Sequence, residues 1–417
     1  MEDTKMEAAS RYTVPAEVAR YRMPALGVGV VALLLSAGGA LIYGPVQFFR
    51  SYLVGFFFCT GLAVGSLAIL MLQHMAGGAW GLIIRRILEA ATRTIPLLAL
   101  LGLPIIVSLF VHPHGHALYE WSNHEYVASD DAMRHKSAYL NIPFFIARYV
   151  FYFAVWFGLV YFLNRWSVEQ DHTGDPRVRR KLQDLSGPGL LLFGLTVTFA
   201  SIDWGMSLEP HWFSTIYGLI VMAGWGLSAL AFTITMAAML ARHGELANVY
   251  QPRHFHDYGK LLLAFVMLFA YFSFSQFLIT WSGNLPEEIP FYLRRLRGGW
   301  QYVGLAIILF HFALPFALLL SRDLKRSGRT LRRVAVLLLV MRVIDLIFLF
   351  APAATPAGQP EHGAGLNPVD FLTMFLATIG VGGIWLWYFL GQLAARPLVP
   401  LGAPELEGAL SAAGAHH

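Results

Sequence analysis

Ionisable side chains fall inside or at the ends of long apolar stretches of this chain, where such residue types are uncommon. A charge at the middle of a bilayer is unfavourable, so these side chains usually face a protein interior or a water-filled path. Acids, bases and imidazoles spaced across a membrane can relay protons. The candidates for such a proton pathway are His74, Glu89, Asp203, Lys260, Arg342 and Asp345.

Two of these candidates form a charge pair in the middle of an apolar stretch, away from the membrane interface where charged side chains are ordinary. Arg342 and Asp345 lie within one apolar stretch and are three residues apart, which places them on one helix face. We expect them to face the bundle interior and to pair. A static structural ion pair is the alternative to a role in proton movement.

A second constellation lies in the segment 201–212 (SIDWGMSLEPHW). The short turn is expected to bring Asp203, Glu209 and His211 close together beside tryptophans. An acid and an imidazole next to an aromatic ring can bind a quinone, whose oxygens need a proton donor and an acceptor. The quinone-binding candidates are Asp203, His211 and Trp204. Tryptophans at a membrane interface are also ordinary, which is the alternative interpretation.

Other cofactor sites are disfavoured by the residues present. The single cysteine, Cys59, excludes an intrachain disulfide, an iron–sulfur cluster and a covalent haem motif. His74 and His311 lie at different depths, which argues against a shared b-type haem. His112, His114 and His116 alternate in a Pro/Gly loop that offers no carboxylate framework, so a solvated loop is favoured over a metal site.

The elements that position these residues are ten apolar blocks. Each is long enough, at about 20 residues, to cross a hydrocarbon core of roughly 30 Å as a helix. The predicted fold is therefore an all-α integral membrane domain over 24–395, preceded by a polar segment, 1–23, and followed by a flexible tail, 396–417. The blocks are 24–45, 48–75, 87–111, 142–164, 187–206, 213–241, 260–281, 300–320, 331–353 and 367–394.

The gaps between blocks predict orientation and packing. Gaps on the side of both termini hold about three times as many Lys and Arg as gaps on the other side, so both termini should be cytoplasmic. The net charge of +5 then reflects contact with anionic lipid and not with nucleic acid. Blocks 2–5 and 6–9 are each arguable as a four-helix bundle, with blocks 1 and 10 flanking them.

Several segments resemble a known family. The stretches 256–260 (HDYGK), 271–277 (YFSFSQF) and 281–290 (WSGNLPEEIP) are similar to the polysulfide-reductase membrane-subunit (NrfD-like) family. The stretches 203–212 and 214–218 (STIYG) are similar too. The likeness covers blocks 2–9 and is strongest to the shorter of the two such membrane subunits in bacterial alternative complex III.

This resemblance implies a fold, a function and a set of partners. It implies ten helices in two four-helix bundles, in a menaquinol:electron-acceptor oxidoreductase of the bacterial inner membrane. The c-type haems and iron–sulfur clusters would belong to a multihaem cytochrome c and an iron–sulfur subunit, and a paralogous ten-helix subunit would lie alongside. This chain would hold no redox cofactor, although menaquinone is a candidate ligand, and its intramembrane acids would form proton half-channels.

Three other functions stay open from the sequence. The chain is alternatively a subunit that binds quinol directly, a secondary transporter or a scaffold for peripheral subunits. Transporters often show Gly/Pro-broken helices at matching positions of two halves. The breaks here, at Gly44–Pro45, Pro104 and Pro315, do not match across halves.

Overall fold

The computed structural model describes residues 11–113, 116–353 and 365–411. All regular structure in these ranges is helical, and ten long helices dominate it. In chain order they are α1 (Arg22–Tyr43), α2 (Pro45–Ala76), α3 (Ala79–Ser108), α4 (Ile142–Thr173), α5 (Pro176–Trp204), α6 (Tyr217–Leu240), α7 (Pro252–Gly283), α8 (Trp300–Leu320), α9 (Gly328–Phe350) and α10 (Pro368–Ala394).

Nine of these described helices are long and apolar enough to cross a membrane. The exception is α9, whose 23 residues include Arg342 and Asp345 as well as three arginines near its start. Each predicted block corresponds to one helix. The prediction of an all-α, multi-pass membrane protein is confirmed at this level.

Capping residues and proline account for where several helices begin. Asn141, Asp175 and Asn367 precede α4, α5 and α10, and each side chain accepts a hydrogen bond from a backbone amide of the first turn. Proline follows within two residues in all three, where its fixed φ suits a first turn and its missing amide hydrogen is not needed. These signals make the helix starts a local property of the sequence.

Two helices form the centre of the membrane domain. The most apolar windows of α2 and α6 are 89% and 78% buried, against 17–22% for α1, α7 and α8. Helix α2 contacts α1, α3, α5, α6, α9 and α10, while α6 also packs against α5, α7 and α9. We call the side where α2, α4, α6 and α8 end the Glu89 face, and the opposite side the Asp203 face.

The segment after α10 packs against the Glu89 face. Leu398, Val399 and Leu406 are buried, and a short helix spans Leu406–Ser411. The Arg253 guanidinium donates to the Ala409 carbonyl at 2.5 Å. Over 396–411 the structure therefore differs from the flexible tail expected from its Ala, Gly and Pro content, because its few apolar side chains find a docking surface. Residues 412–417, with His416 and His417, lie outside the described ranges.

Candidate functional site

A buried charge cluster lies at the Glu89 face, between α3 and α4. The Glu89 carboxylate, 1% exposed, accepts hydrogen bonds from Arg85 Nε at 2.9 Å, Arg86 Nη1 at 2.6 Å and the Ser167 hydroxyl at 2.5 Å. Arg86 also pairs with Asp171. Both arginines are almost fully buried, so the cluster is enclosed by protein.

Two further basic residues, of which only Lys260 was predicted to belong to the proton pathway, have other partners. Arg93, four residues after Glu89, donates to the Gln392 carbonyl of α10. Lys260 is exposed on α7 and pairs with Asp257 at 3.4 Å. His74 is buried at the end of α2, within reach of the charges of Arg85 and Glu89. The structure thus brings His74 and Glu89 together and leaves Lys260 apart.

The two arginines that hold Glu89 were not predicted as part of this site, because the predicted third block begins only at residue 87. The sequence interpretation placed Arg85 and Arg86 in the gap between blocks, whereas α3 begins at Ala79 and carries both inward. Their spacing of three and four residues before Glu89 was the signal that predicts this pairing.

A second buried group lies deeper, on α8 and α9. Arg342 pairs with Asp345 as predicted, and its guanidinium carbon lies 5.3 Å from the centre of the Phe269 ring. The ring of His311 lies 4.9 Å from the same phenyl ring, from the other helix. Arg342 and His311 are each 1% exposed, while the Asp345 side chain is 16% exposed. Phe269 therefore bridges the imidazole and the ion pair.

A third group surrounds Asp203 near the end of α5. Arg148 binds both carboxylate oxygens, each at 2.8 Å, and the Tyr152 hydroxyl donates to one of them at 2.7 Å. The guanidinium also lies 3.8 Å from the centre of the Tyr139 ring. This two-point contact fixes both planar groups and leaves Asp203 1% exposed.

Glu209 and His211 have partners of their own. Glu209 accepts from Arg295 at 2.7 Å and Arg294 at 3.1 Å. His211 is exposed, with Nε2 3.1 Å from Asp130 and 3.0 Å from the Tyr126 hydroxyl. The structure therefore does not place Asp203, Glu209 and His211 in one site, because each side chain of this turn leaves in a different direction.

Trp204 belongs to the core and offers no ring face to a ligand. It is fully buried, with its ring centre 5.3 Å from that of Phe56 and 6.0 Å from those of Tyr149 and Trp156. The expected role of Trp204 beside a quinone ring is therefore not supported by its position.

A cleft of about 220 Å³ opens next to the Asp203 group. Its wall includes Lys136, Tyr139, Ser207 and Trp212. The Tyr139 hydroxyl is buried beside the Asp203 carboxylate. Burial, followed by the Asp203 charge, raises the pKa of Tyr139, and burial lowers the pKa of Lys136.

The remaining histidines do not assemble into a metal site within the described ranges. No group of three His, Cys, Asp or Glu side chains there is placed to hold a metal ion. His112 contacts the Ser122 hydroxyl at 2.9 Å, and His114 lies outside the described residues.

Comparison with known proteins adds no family assignment. No model of a known protein family matches the chain, and no curated protein matches it.

Proposed function

We propose that this chain is a membrane subunit of a bacterial respiratory menaquinol:electron-acceptor oxidoreductase of the alternative complex III type. In this proposal it carries no redox cofactor of its own and conducts protons. The electrons pass through partner subunits, namely a multihaem cytochrome c, an iron–sulfur subunit and a paralogous ten-helix subunit. The basis for the family is the set of motif segments in the sequence.

Contacts between these motif segments support the proposal. The Ser214 hydroxyl donates to the Gln276 side-chain oxygen at 3.2 Å, which joins the segments 214–218 and 271–277. Trp212 stacks on Phe291 with ring centres 3.9 Å apart, next to the segment 281–290. Segments that are distant in sequence therefore meet at one face, as expected if they form one functional or docking region.

The observation that carries proton conduction is the arrangement of buried charges at three depths. His74 and Glu89 lie at one face, His311, Arg342 and Asp345 lie deeper, and the Asp203 group lies towards the other face. Relay across a membrane needs ionisable groups accessible from each side and a step between them. These groups lie on different helices, so their order across the domain depends on how the helices pack.

The membrane arrangement is part of the proposal. All ten long helices would span the inner membrane, with the Glu89 face and both termini in the cytoplasm. Contacts among α2–α5 and among α6–α9 support two four-helix bundles, and the contacts of α10 with α1 and α2 support a flanking pair. The arginines at the start of α9 lie on the face that this orientation makes cytoplasmic.

Mass spectrometry of the complex that co-purifies with the chain from native membranes tests the assignment. A multihaem cytochrome c, a large iron–sulfur subunit and a longer ten-helix paralogue are expected. Recovery of the chain alone, or as a homo-oligomer, contradicts the respiratory assignment and favours a secondary transporter.

Replacing Asp345 tests proton conduction in the intact complex. Asp345→Asn keeps the side-chain shape and removes the group that can gain or lose a proton. We expect fewer protons moved per electron with assembly and subunit content unchanged, measured by pH change during quinol oxidation in proteoliposomes. An unaltered proton-to-electron ratio contradicts a role for Asp345.

Direct quinol binding is a second candidate, and the cleft beside Asp203 favours it. The buried Tyr139 hydroxyl can donate to a quinone oxygen, and the apolar wall suits a ring. Tyr139→Phe should weaken inhibition by quinone-site inhibitors. The control is His211→Ala, since His211 is exposed and does not line the cleft. Equal inhibition of both variants and the unmodified complex counts against this site.

A further inference from the structure

Four buried nitrogen atoms cluster where α8 and α9 meet. Both ring nitrogens of His311, and Nε and Nη2 of Arg342, have no hydrogen-bond partner among the described residues. Both side chains are 1% exposed, and both lie close to the Phe269 ring. Buried polar groups in proteins are nearly always hydrogen-bonded, to protein or to ordered water, so four unmatched nitrogens in one place indicate bound water.

The local backbone keeps His311 in this position. Residues Ile307–Ala313 of α8 form a π-helix, and Pro315 follows it. Proline has no amide hydrogen to donate to the carbonyl four residues earlier, which belongs to His311. The loss of that α-helical bond accounts for the wider turn at His311, and such turns occur often at functional sites.

Helix α6 confines the guanidinium on another side. A Cβ atom at Gly224 would lie 2.5 Å from the guanidinium carbon of Arg342, so only glycine leaves room there. Arg342 uses Nη1 for Asp345, while its Nε and Nη2 have no hydrogen-bond partner among the described residues, and its charge lies within electrostatic reach of His311. A neutral imidazole can accept from water at one nitrogen and donate at the other, and Arg342 can only donate.

We propose that His311 and Arg342 bind water inside the membrane domain, and that this hydrated site is the central step of the proton path. The role in the proton path rests on the proposed function, whereas the water site does not. Water held by His311 and Arg342 links the imidazole to Asp345, whose side chain is the partly exposed member of the group. Asp345 releases a proton to the bound water, the water passes one of its own protons to the acceptor nitrogen of His311, and the other ring nitrogen releases its proton to a further water, so the imidazole ends neutral in its other tautomer.

The neighbouring charges extend this site towards the Asp203 face. Tyr217, fully buried at the start of α6, lies within electrostatic reach of two ion pairs, Arg342–Asp345 and Glu209–Arg295. Arg295 also donates to the carbonyls of Phe348 and Leu349 at the end of α9. The hydrated site is thus joined to a polar series at one face.

Electron cryomicroscopy of the native complex in lipid nanodiscs, at a resolution that shows ordered water, tests the site itself. A density peak is expected within about 2.7–3.2 Å of an Arg342 nitrogen and of a His311 ring nitrogen. Well-ordered side chains with no peak between them overturn the proposal. So does a peak that touches Arg342 alone.

Two variants of His311 test the role in proton transfer. His311→Phe removes both nitrogens and keeps an aromatic ring against Phe269, whereas His311→Gln keeps a donor and an acceptor. We expect His311→Phe to lose the water peak and lower the protons moved per electron, and His311→Gln to recover the water peak but not the proton yield.

The outcomes separate this inference from the proposed function. A lost peak with an unchanged proton yield in His311→Phe overturns the central step. If Asp345→Asn still lowers the yield, proton conduction stands and takes another route. If neither variant changes the yield, the proposed proton conduction falls, while a water peak in the unmodified complex still establishes the binding site.

Discussion

Among the described residues, each deeply buried carboxylate that forms an ion pair has arginine as its main partner. Glu89 lies between Arg85 and Arg86, Asp203 is held at two points by Arg148, and Glu209 binds Arg295. The guanidinium group suits these positions because its planar fork matches a carboxylate and stays charged. Carboxylates held at several points are anchors first, and a proton relay through them requires those bonds to open.

Asp345 differs from these anchors in ways that matter for proton transfer. Its pairing with Arg342 uses one guanidinium nitrogen, and its side chain is less enclosed than those of Glu89 and Asp203. Its partner also keeps unused donors. Asp345 is therefore the carboxylate whose protonation disturbs the fewest contacts.

Neutralising Glu89 should destabilise the protein strongly. Glu89→Gln leaves Arg85 and Arg86 buried with less compensating charge, and the removal of one partner from a buried ion pair typically costs about 3–5 kcal/mol. Thermal unfolding in detergent measures the loss. The matched control is Glu169→Gln, because Glu169 pairs with Lys181 at 2.9 Å on the surface and should contribute about 0–1 kcal/mol. Equal shifts in both variants contradict the anchoring role of Glu89.

At the scale of elements, close backbone contact holds α1 against α10. Helix α1 is largely exposed, yet it packs extensively along α10. A Cβ atom at Gly383 would lie 2.6 Å from both the Ala25 carbonyl oxygen and the Gly29 Cα. Small residues at such contacts let membrane helices approach without an additional hydrophobic driving force.

A pair of neighbouring glycines makes this contact testable. Gly383→Ala forces the two backbones apart and should destabilise the domain by about 1–3 kcal/mol. Gly382→Ala should be nearly neutral, since its Cβ would meet only the Cys59 sulfur at 3.9 Å. Unfolding midpoints of the two variants decide the matter, and a similar effect at both positions rules out the close-contact explanation.

The segment between α3 and α4 should make stability depend on pH through Glu120. Burial, the largest effect, raises the pKa of Glu120 above its ordinary 4.5, although the Tyr126 hydroxyl and the His211 charge oppose it. The folded state then holds the proton more tightly than the unfolded state. The stabilisation is complete below pH 4.5 and is lost as the pH rises through the folded-state pKa.

Glu120→Gln should remove this part of the pH dependence and raise the unfolding midpoint near neutral pH relative to the unmodified protein. Unfolding scans from mildly acidic to neutral pH test it. Glu125→Gln serves as the control, because Glu125 is exposed in the same segment. A parallel pH profile in Glu120→Gln and the unmodified protein contradicts the expectation.

At the scale of the whole molecule, the proposed orientation places the α4–α5 connection in the cytoplasm and the α7–α8 connection outside. The chain has one cysteine, Cys59, and it is buried. Single cysteines can therefore be introduced at exposed positions after Cys59→Ala. A membrane-impermeant thiol reagent should label Glu287→Cys in spheroplasts and Arg177→Cys only in inverted vesicles. The reverse pattern contradicts the orientation.

Local signals in the sequence predicted much of the fold. Apolar length predicted the ten long helices, since a helix must hide its backbone from lipid over a fixed span. The spacing of Arg342 and Asp345 predicted their pairing, because three residues bring two side chains to one helix face. Spacing in the sequence did not predict the partners of side chains that contact residues far away in the chain. Asp203, Glu209 and His211 are near in sequence and yet bind Arg148, Arg295 and Asp130.

The sequence by itself thus determined the all-α, multi-helix character of the protein, the regions of the chain in which its long helices lie and the presence of charges among them. These properties depend on residue composition and on spacing within one helix. Only the tertiary structure decided that Arg85 and Arg86 enclose Glu89 with Ser167 of another helix, and that His311 and Arg342 both lie beside the ring of Phe269. Such partners come from different helices, and their choice depends on how the helices rotate and cross, which a repeating apolar pattern leaves undefined.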